Sequence, residues 1–114
     1  MPFRRTDAVL PLTPVSFEIL LALLDGDRHG YAILQAVEAR LESVLPLRTG
    51  TLYRALARLL DEGLIAEASA EADTRRRTYR ITPLGRKVAR AEAERLADQV
   101  AAARAHRLLP GSRK

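Results

Sequence analysis

The residues with the clearest capacity for chemistry are a threonine and two arginines on a predicted helix near the middle of the chain. At about 100° per residue, Thr51, Arg54 and Arg58 fall within about 60° of one another on that helix. A guanidinium group can bind phosphate or donate two hydrogen bonds to the edge of a guanine. The sequence has no acidic residue between Arg48 and Leu60. This face therefore predicts contact with the major groove of duplex DNA.

Exposed arginines on a helix are often only solvated, so the pair Arg54 and Arg58 alone is weak support for DNA binding. The distribution of charge along the chain adds to it. Residues 13–42 hold five acidic residues and two arginines. Residues 43–65 hold two acidic residues and three arginines, and residues 66–82 hold three acidic residues and four arginines. Acidic residues are thus in excess over residues 13–42, and arginines are in excess over residues 43–82.

A second basic cluster, Arg75-Arg76-Arg77, lies at the tip of a predicted hairpin between strands at residues 64–68 and 78–82. In a winged helix this tip lies over the DNA backbone, so the cluster predicts phosphate contacts. A solvated turn, paired in part with nearby acidic residues, is the alternative. The register of the hairpin does not follow from the sequence, so the arginine that points outward stays open.

Several other polar residues were candidates for a site. Tyr53 lies beside the leucines of its helix and could belong to the core, bind phosphate, or do both. His29 and His106 are far apart, and the chain has no cysteine, so we expect no metal site. No serine, histidine and carboxylate pattern and no glycine-rich phosphate loop are present. We therefore expect no enzyme activity, no catalytic residue and no cofactor.

The elements that must position these side chains follow the order helix, helix, helix, hairpin, helix. Thr13-Pro14 and Thr82-Pro83 each combine an N-cap hydroxyl with a proline suited to the first helical turn. The third helix has Leu52, Leu56, Leu59 and Leu60 on one side and runs from about Thr49 to Gly63. This order predicts a mainly α (α+β) fold, a winged helix-turn-helix with a two-stranded wing.

We divide the chain into an N-terminal arm (1–12), a DNA-binding domain (13–82), a dimerisation helix (83–106) and a flexible tail (107–114).

The first and last helices predict a homodimer. The first helix is apolar almost all the way round, so it needs cover on two sides. The last helix repeats small and apolar residues at spacings of four and three, and its length of about 36 Å exceeds what so small a domain can cover. A two-fold dimer would present two recognition helices to half-sites one DNA turn, or a multiple, apart. The predicted interface residues are Phe17, Leu21, Ala89, Ala93, Leu96, Val100 and Ala103.

Composition limits the remaining classes of protein. The 114 residues, with 47% hydrophobic residue types and a net charge of +5, fit one folded domain with a polyanionic partner. Five aromatic residues offer little for stacking single-stranded bases. No apolar run reaches the roughly 18 residues of a membrane span, and no secretory signal is evident. We expect a cytoplasmic protein without a membrane partner.

An ordered set of motifs over about residues 13–105 resembles the PadR family of transcriptional regulators, in the smaller subfamily with a single C-terminal helix. The segments that carry the resemblance are His29-Gly30-Tyr31, Gly50-Thr51-Leu52-Tyr53, Leu59, Glu62-Gly63-Leu64-Ile65, Arg77-Thr78-Tyr79-Arg80-Ile81-Thr82 and Gly85.

The resemblance implies a homodimeric repressor of the bacterial cytoplasm, with the third helix in the major groove and the wing on the DNA backbone. In similar proteins the Gly-Thr-Leu-Tyr segment contacts DNA, which corresponds to Thr51 and Tyr53. Some members release DNA when a phenolic or drug-like ligand binds between the subunits. A small apolar or phenolic effector would then lie near Phe17, Leu21, Leu96 and Val100. Two features depart from the family: Ala72-Asp73-Thr74 replaces a frequent wing glycine, and the C-terminal helix has no tryptophan.

The leading hypothesis is therefore a sequence-specific, duplex-DNA-binding repressor that acts as a homodimer. The alternative is a winged-helix module that binds another regulator through its apolar first or last helix. The operator, the effector and the choice between repressor and activator stay open. The predicted DNA contacts are Arg48, Thr49, Thr51, Tyr53, Arg54, Arg58, Arg75, Arg76 and Arg77.

Overall fold

The computed structural model describes residues 10–41, 48–69, 73 and 76–110 of the chain. Within these residues there are four helices and three short strands. The helices are α1 (Pro14–Leu23), α2 (Gly30–Leu41), α3 (Thr49–Asp61) and α4 (Pro83–Ala105), and the strands are β1 (Arg28–His29), β2 (Ile65–Glu67) and β3 (Thr78–Ile81). The mainly helical winged helix-turn-helix expected from the sequence is confirmed.

Both threonine–proline helix starts form as predicted. Thr13 Oγ1 accepts a hydrogen bond of 3.1 Å from the backbone N–H of Ser16, which caps α1. Thr82 Oγ1 accepts one of 3.0 Å from the N–H of Gly85, which caps α4. The Thr82 hydroxyl also donates to the carbonyl of Gly63 at 2.7 Å. The same side chain thus caps α4 and fixes the helix against the turn that ends α3.

The end of α3 is a hydrogen-bonded turn that needs glycine. Gly63 has φ of 76°, in the left-handed region that side chains with a Cβ rarely adopt. Its N–H donates to the carbonyl of Leu60, and the N–H of Leu64 donates to that of Leu59, both at 3.0 Å. This is the Schellman pattern, which satisfies the last carbonyls of a helix. It turns the chain directly into β2.

The wing belongs to a three-stranded antiparallel sheet, whereas the sequence predicted only its two strands β2 and β3. The strand order is β1-β3-β2. In β3 the side chains of Tyr79 and Ile81 are buried and that of Arg80 is exposed, which is the predicted alternation. The additional strand β1 pairs His29 with Thr78, but its two residues are too short to show alternation in a sequence.

One apolar core joins the four helices to β2 and β3. It contains side chains from each helix and from β2 and β3, among them Ile19, Ile33, Leu56, Tyr79 and Val88. Within the predicted N-terminal arm, Leu10 and Leu12 pack against this core. The rest of that arm (1–9), the end of the predicted tail (111–114) and the connection at 42–47 lie outside the described residues.

Among the described residues, no helix is both long enough and apolar enough to cross a bilayer.

Candidate nucleic-acid interface

Helix α3 has its leucines and its arginines on opposite sides. Leu52, Leu56 and Leu59 are at most 1% exposed and pack in the core. Arg54 and Arg58 are exposed to solvent. The predicted orientation of the helix is therefore correct, because the core takes the leucines and leaves both guanidinium groups on the surface.

Arg54 lies over the first turn of α3. Its Nη2 atom is 3.5 Å from Thr51 Oγ1, and its Nη1 atom would lie 3.3 Å from a Cβ built on Gly50. No carboxylate of the described residues pairs with this guanidinium group. Arg54 thus retains its charge at the helix surface, next to a threonine hydroxyl that can also bind phosphate or a base.

Arg58 contacts a carboxylate of its own helix. Its Nε atom lies 3.4 Å from Glu62 Oε2, and the arginine side chain is 72% exposed. Exposed pairs of this kind contribute little, and an arginine placed N-terminal to its glutamate has the less favourable orientation. Arg58 can therefore exchange Glu62 for a phosphate or a guanine at small cost.

The N-terminal end of α3 is also basic. Arg48 occupies the N-cap position without a capping hydrogen bond from its side chain, and both Arg48 and Thr49 are exposed. The first turn contains no acidic residue. The positive end of the helix macrodipole lies here, where the free backbone N–H groups favour anions. Thr51, one turn further, is partly exposed.

Tyr53 has the mixed character that the sequence left open. The side chain is partly buried and packs against the core cluster. It lies close enough to Tyr79 to affect the ionisation of that residue. Burial raises the pKa of Tyr79, and the nearby charge of Arg77 opposes this rise. The hydroxyl oxygen of Tyr53 is buried. Tyr53 thus contributes to packing between α3 and the sheet, and its contact with DNA stays a prediction that would require this hydroxyl to become exposed.

The register of the wing separates two of its arginines. Arg76 is exposed, whereas Arg77 is partly buried, with Nη1 at 3.5 Å from Glu67 Oε2. Arg77 also donates a hydrogen bond to the Tyr79 hydroxyl. Since Glu67 is the cross-strand partner of Tyr79, Arg77 braces β2 against β3. Arg75 lies outside the described residues.

The wing tip is attached to the body of the protein by a residue that the sequence did not identify. The N–H groups of Arg76 and Arg77 donate to the carbonyl of Asp73, both at 3.0 Å. The Nδ1 atom of His29 lies 2.9 Å from the carbonyl oxygen of Arg76. These two residues are 47 positions apart, so no local spacing could have indicated the contact.

The predicted dimer residues divide into two groups. Ala89 is 5% exposed and packs in the core of its own chain, and Phe17 also packs against that core. Leu21, Leu96 and Ala103 are partly exposed, and Ala93 and Val100 are exposed. A groove of about 270 Å³ lies between α1 and α4 and is lined by Phe17, Leu21, Leu24, Arg86, Ala89, Arg90 and Ala93. The first half of α4 is thus covered by its own domain, and the second half is open.

A buried glutamate also lies on α4, and nothing in the sequence pattern indicates its burial. Glu92 is 2% exposed, and Arg95 Nε and Nη2 donate to its two carboxylate oxygens, each at 2.8 Å. A hydrogen bond from the backbone of Leu12 also reaches the carboxylate. The pKa of Glu92 is lowered mainly by its hydrogen bonds from Arg95, against the effect of burial. Glu92 thereby holds the segment before α1 on α4.

Three comparisons with known proteins agree with this arrangement. The model of the transcriptional regulator PadR-like family matches residues 19–91. A transcriptional regulator from Clostridium thermocellum has 36% identity and a TM-score of 0.63, over 76% of this chain and 85% of that one. A PadR family transcription regulator from Clostridium difficile has 28% identity and a TM-score of 0.61, over 77% of this chain and 94% of that one.

A curated relative is longer than this chain. An uncharacterized 37.1 kDa protein of transposon TN4556 in Streptomyces fradiae is 42% identical over 79 residues. The match covers 69% of this chain but only 22% of that protein.

Proposed function

The chain belongs to the PadR-like family of transcriptional regulators and has their winged-helix DNA-binding fold, and from this premise we propose that it represses transcription as a cytoplasmic homodimer bound to duplex DNA. The observation that carries the proposal is the exposure of Arg54 and Arg58 on the side of α3 opposite its buried leucines. A helix with this polarity can enter the major groove while the domain behind it stays folded.

The proposed contacts fall into two classes. Arg54 and Arg58 read base edges, with guanine as the preferred partner of a bidentate guanidinium group. Side chains at the N-terminal end of α3 and at the wing bind phosphates and set the orientation of the protein on the duplex. This second class comprises Arg48, Thr49, Thr51, Arg75 and Arg76. Arg77 adds positive charge nearby while paired with Glu67. Tyr53, whose hydroxyl is buried, would support α3 from the core side and reach DNA only if its side chain moved.

The proposed dimer uses the open half of α4. Val100 is 45% exposed, and residues 97–102 are all exposed. An antiparallel or crossed pair of α4 helices would cover this surface, and α1 of the partner would cover the groove along Phe17 and Leu21. Burial of this apolar surface favours association, and a domain of this size gains much from it.

An effector site is proposed at the same groove. Its lining is apolar along α1, and Arg86 and Arg90 lie on its α4 side. A small apolar or phenolic molecule there, with Leu96 and Val100 completing the wall in the dimer, would alter the angle between the subunits. DNA release would follow because the two recognition helices would no longer match their half-sites.

The binding experiment starts from a random duplex library, because the operator is unknown. The purified protein should retain a subset of sequences that share a two-fold repeat, and its affinity for them should fall steeply as salt rises. Absence of any retained duplex would contradict the proposal. Capture of another regulator by a protein that binds no DNA would favour the alternative of an interaction module.

A further inference from the structure

The ring of His29 holds the backbone of the wing tip. His29 is the last residue of β1 and is exposed to solvent. Its Nδ1 atom lies 2.9 Å from the Arg76 carbonyl oxygen and 3.3 Å from Thr78 Oγ1. A carbonyl oxygen can only accept a hydrogen bond, so Nδ1 carries a proton and donates it to Arg76.

This contact extends the strand pairing past the first residue of β3, toward the wing tip. The last paired residues of β1 and β3 are His29 and Thr78. The N–H of Gly30 then donates to the carbonyl of Arg77 at 3.0 Å, and the His29 ring reaches the carbonyl of Arg76. Two successive carbonyls of the wing are thus bound by the last residue of β1 and the first residue of α2.

We infer that His29 is a positioning residue for DNA binding, which fixes the wing tip so that the Arg76 guanidinium group meets a phosphate while α3 lies in the groove. The inference rests on the proposed function. The only other backbone contact of Arg76 among the described residues is its N–H bond to Asp73, which lies within the tip and does not connect the tip to the rest of the domain. His29 instead connects the tip to α2, whose Ile33, Leu34 and Val37 share the core with the leucines of α3.

The role concerns placement rather than stability of the fold. The imidazole is exposed, so water can replace it at the Arg76 carbonyl with little loss of folding free energy. A released tip samples more conformations, and the phosphate contact of Arg76 must then overcome that entropy on binding.

The test uses the full chain and a fixed random-sequence duplex of about 30 base pairs, since phosphate contacts do not depend on sequence. Affinity is measured by fluorescence anisotropy at several salt concentrations for the unsubstituted protein, H29L, H29N, R76A and the double variant H29L/R76A. Leucine cannot donate a hydrogen bond, whereas the asparagine amide can donate to the carbonyl. Thermal unfolding of each variant checks the fold.

We expect H29L and R76A each to weaken binding about three- to tenfold and to reduce the salt slope by about one. H29N should bind within about twofold of the unsubstituted protein, and H29L should cost nothing further in the R76A background, because the two residues act through one contact. All variants should unfold within a few degrees of one another.

Three results would overturn the inference while leaving DNA binding intact. These are additive losses for H29L and R76A, equal losses for H29N and H29L, and unchanged binding by R76A. Failure of the unsubstituted protein to bind duplex DNA at any salt concentration would overturn the proposed function and the role of His29 together.

Discussion

Single residues carry the specificity that we propose, and Arg54 and Arg58 differ in their surroundings. Arg54 lies against Thr51, whereas Arg58 lies beside Glu62. DNA binding by Arg58 requires an exchange of partners, and DNA binding by Arg54 does not. The sequence predicted the exposure of both residues, but it gave no ranking between them.

Replacement of either arginine with alanine should weaken binding to a selected operator. We expect a loss of about 1–3 kcal/mol where the guanidinium group is bidentate to guanine, with relaxed preference at that base pair. Anisotropy titrations with the operator and with single-base variants measure both effects. R104A, which removes the same charge from the last turn of α4, serves as the control. Equal losses for R104A would show that only total charge matters.

The buried Glu92 predicts a pH-dependent stability. Because the pKa of this carboxyl is lower in the folded protein than its ordinary value of 4.5, its ionised form stabilises the fold above that value. This contribution is lost as the pH falls below 4.5 and through the folded-state pKa.

E92Q should lower the free energy of unfolding by about 1–3 kcal/mol at pH 7, since the charged hydrogen bonds from Arg95 are lost. The difference from the unsubstituted protein should shrink as the pH is lowered below about 4.5. Urea unfolding at a series of pH values measures this change. E94Q, on the exposed side of the same helix, is the matched control and should have little effect at any pH. A pH-independent effect of E92Q would refute the linkage.

At the scale of elements, close contact between α4 and the α3–β2 turn sets the position of the sheet relative to the helices. A Cβ built on Gly85 would lie 2.0 Å from the carbonyl oxygen of Leu64 and 2.8 Å from Ile81 Cγ1. The backbone atom cannot move aside without disturbing β2. The glycine is thus required by packing, since its own φ is not in the left-handed region.

G85A should lower the free energy of unfolding by about 1–3 kcal/mol, because the methyl group forces α4 away from the turn. G50A is the matched control within α3. There a Cβ would lie 3.3 Å from Arg54 Nη1, the end of a flexible exposed side chain. Alanine also favours helix over glycine, so G50A should be neutral or stabilising. Thermal denaturation distinguishes the two, and equal melting temperatures for G85A and the unsubstituted protein would contradict the packing argument.

At the scale of the whole molecule, the open half of α4 determines whether two recognition helices act together. The side chain of Val100 is 45% exposed in the single chain, so a charge there has little effect on the fold of one subunit. In the proposed dimer the same charge would be desolvated against an apolar surface.

V100E should therefore dissociate the dimer while leaving the monomer folded. We expect a halved mass in sedimentation or light-scattering measurements and a large loss of affinity for a two-fold operator, since only one half-site is then bound. Q35E introduces the same change of charge at an exposed position of α2, outside the proposed interface, and should remain dimeric. A V100E protein with unchanged mass would exclude α4 as the interface.

The sequence by itself determined the features that depend on local geometry. The 3.6-residue helical period divides leucines from arginines on α3, the threonine–proline pairs start α1 and α4, and alternation assigns Tyr79 and Ile81 to the core. Each of these follows from the covalent geometry of a few neighbouring residues.

Only the tertiary structure decided the contacts that join distant segments. The pairing of β1 with β3 brings His29 to the wing, the hairpin register turns Arg77 inward and Arg76 outward, and the packing of α4 buries Glu92 and Ala89. These outcomes depend on how whole elements approach one another, and the period of a single element specifies its buried face but not the partner that covers it.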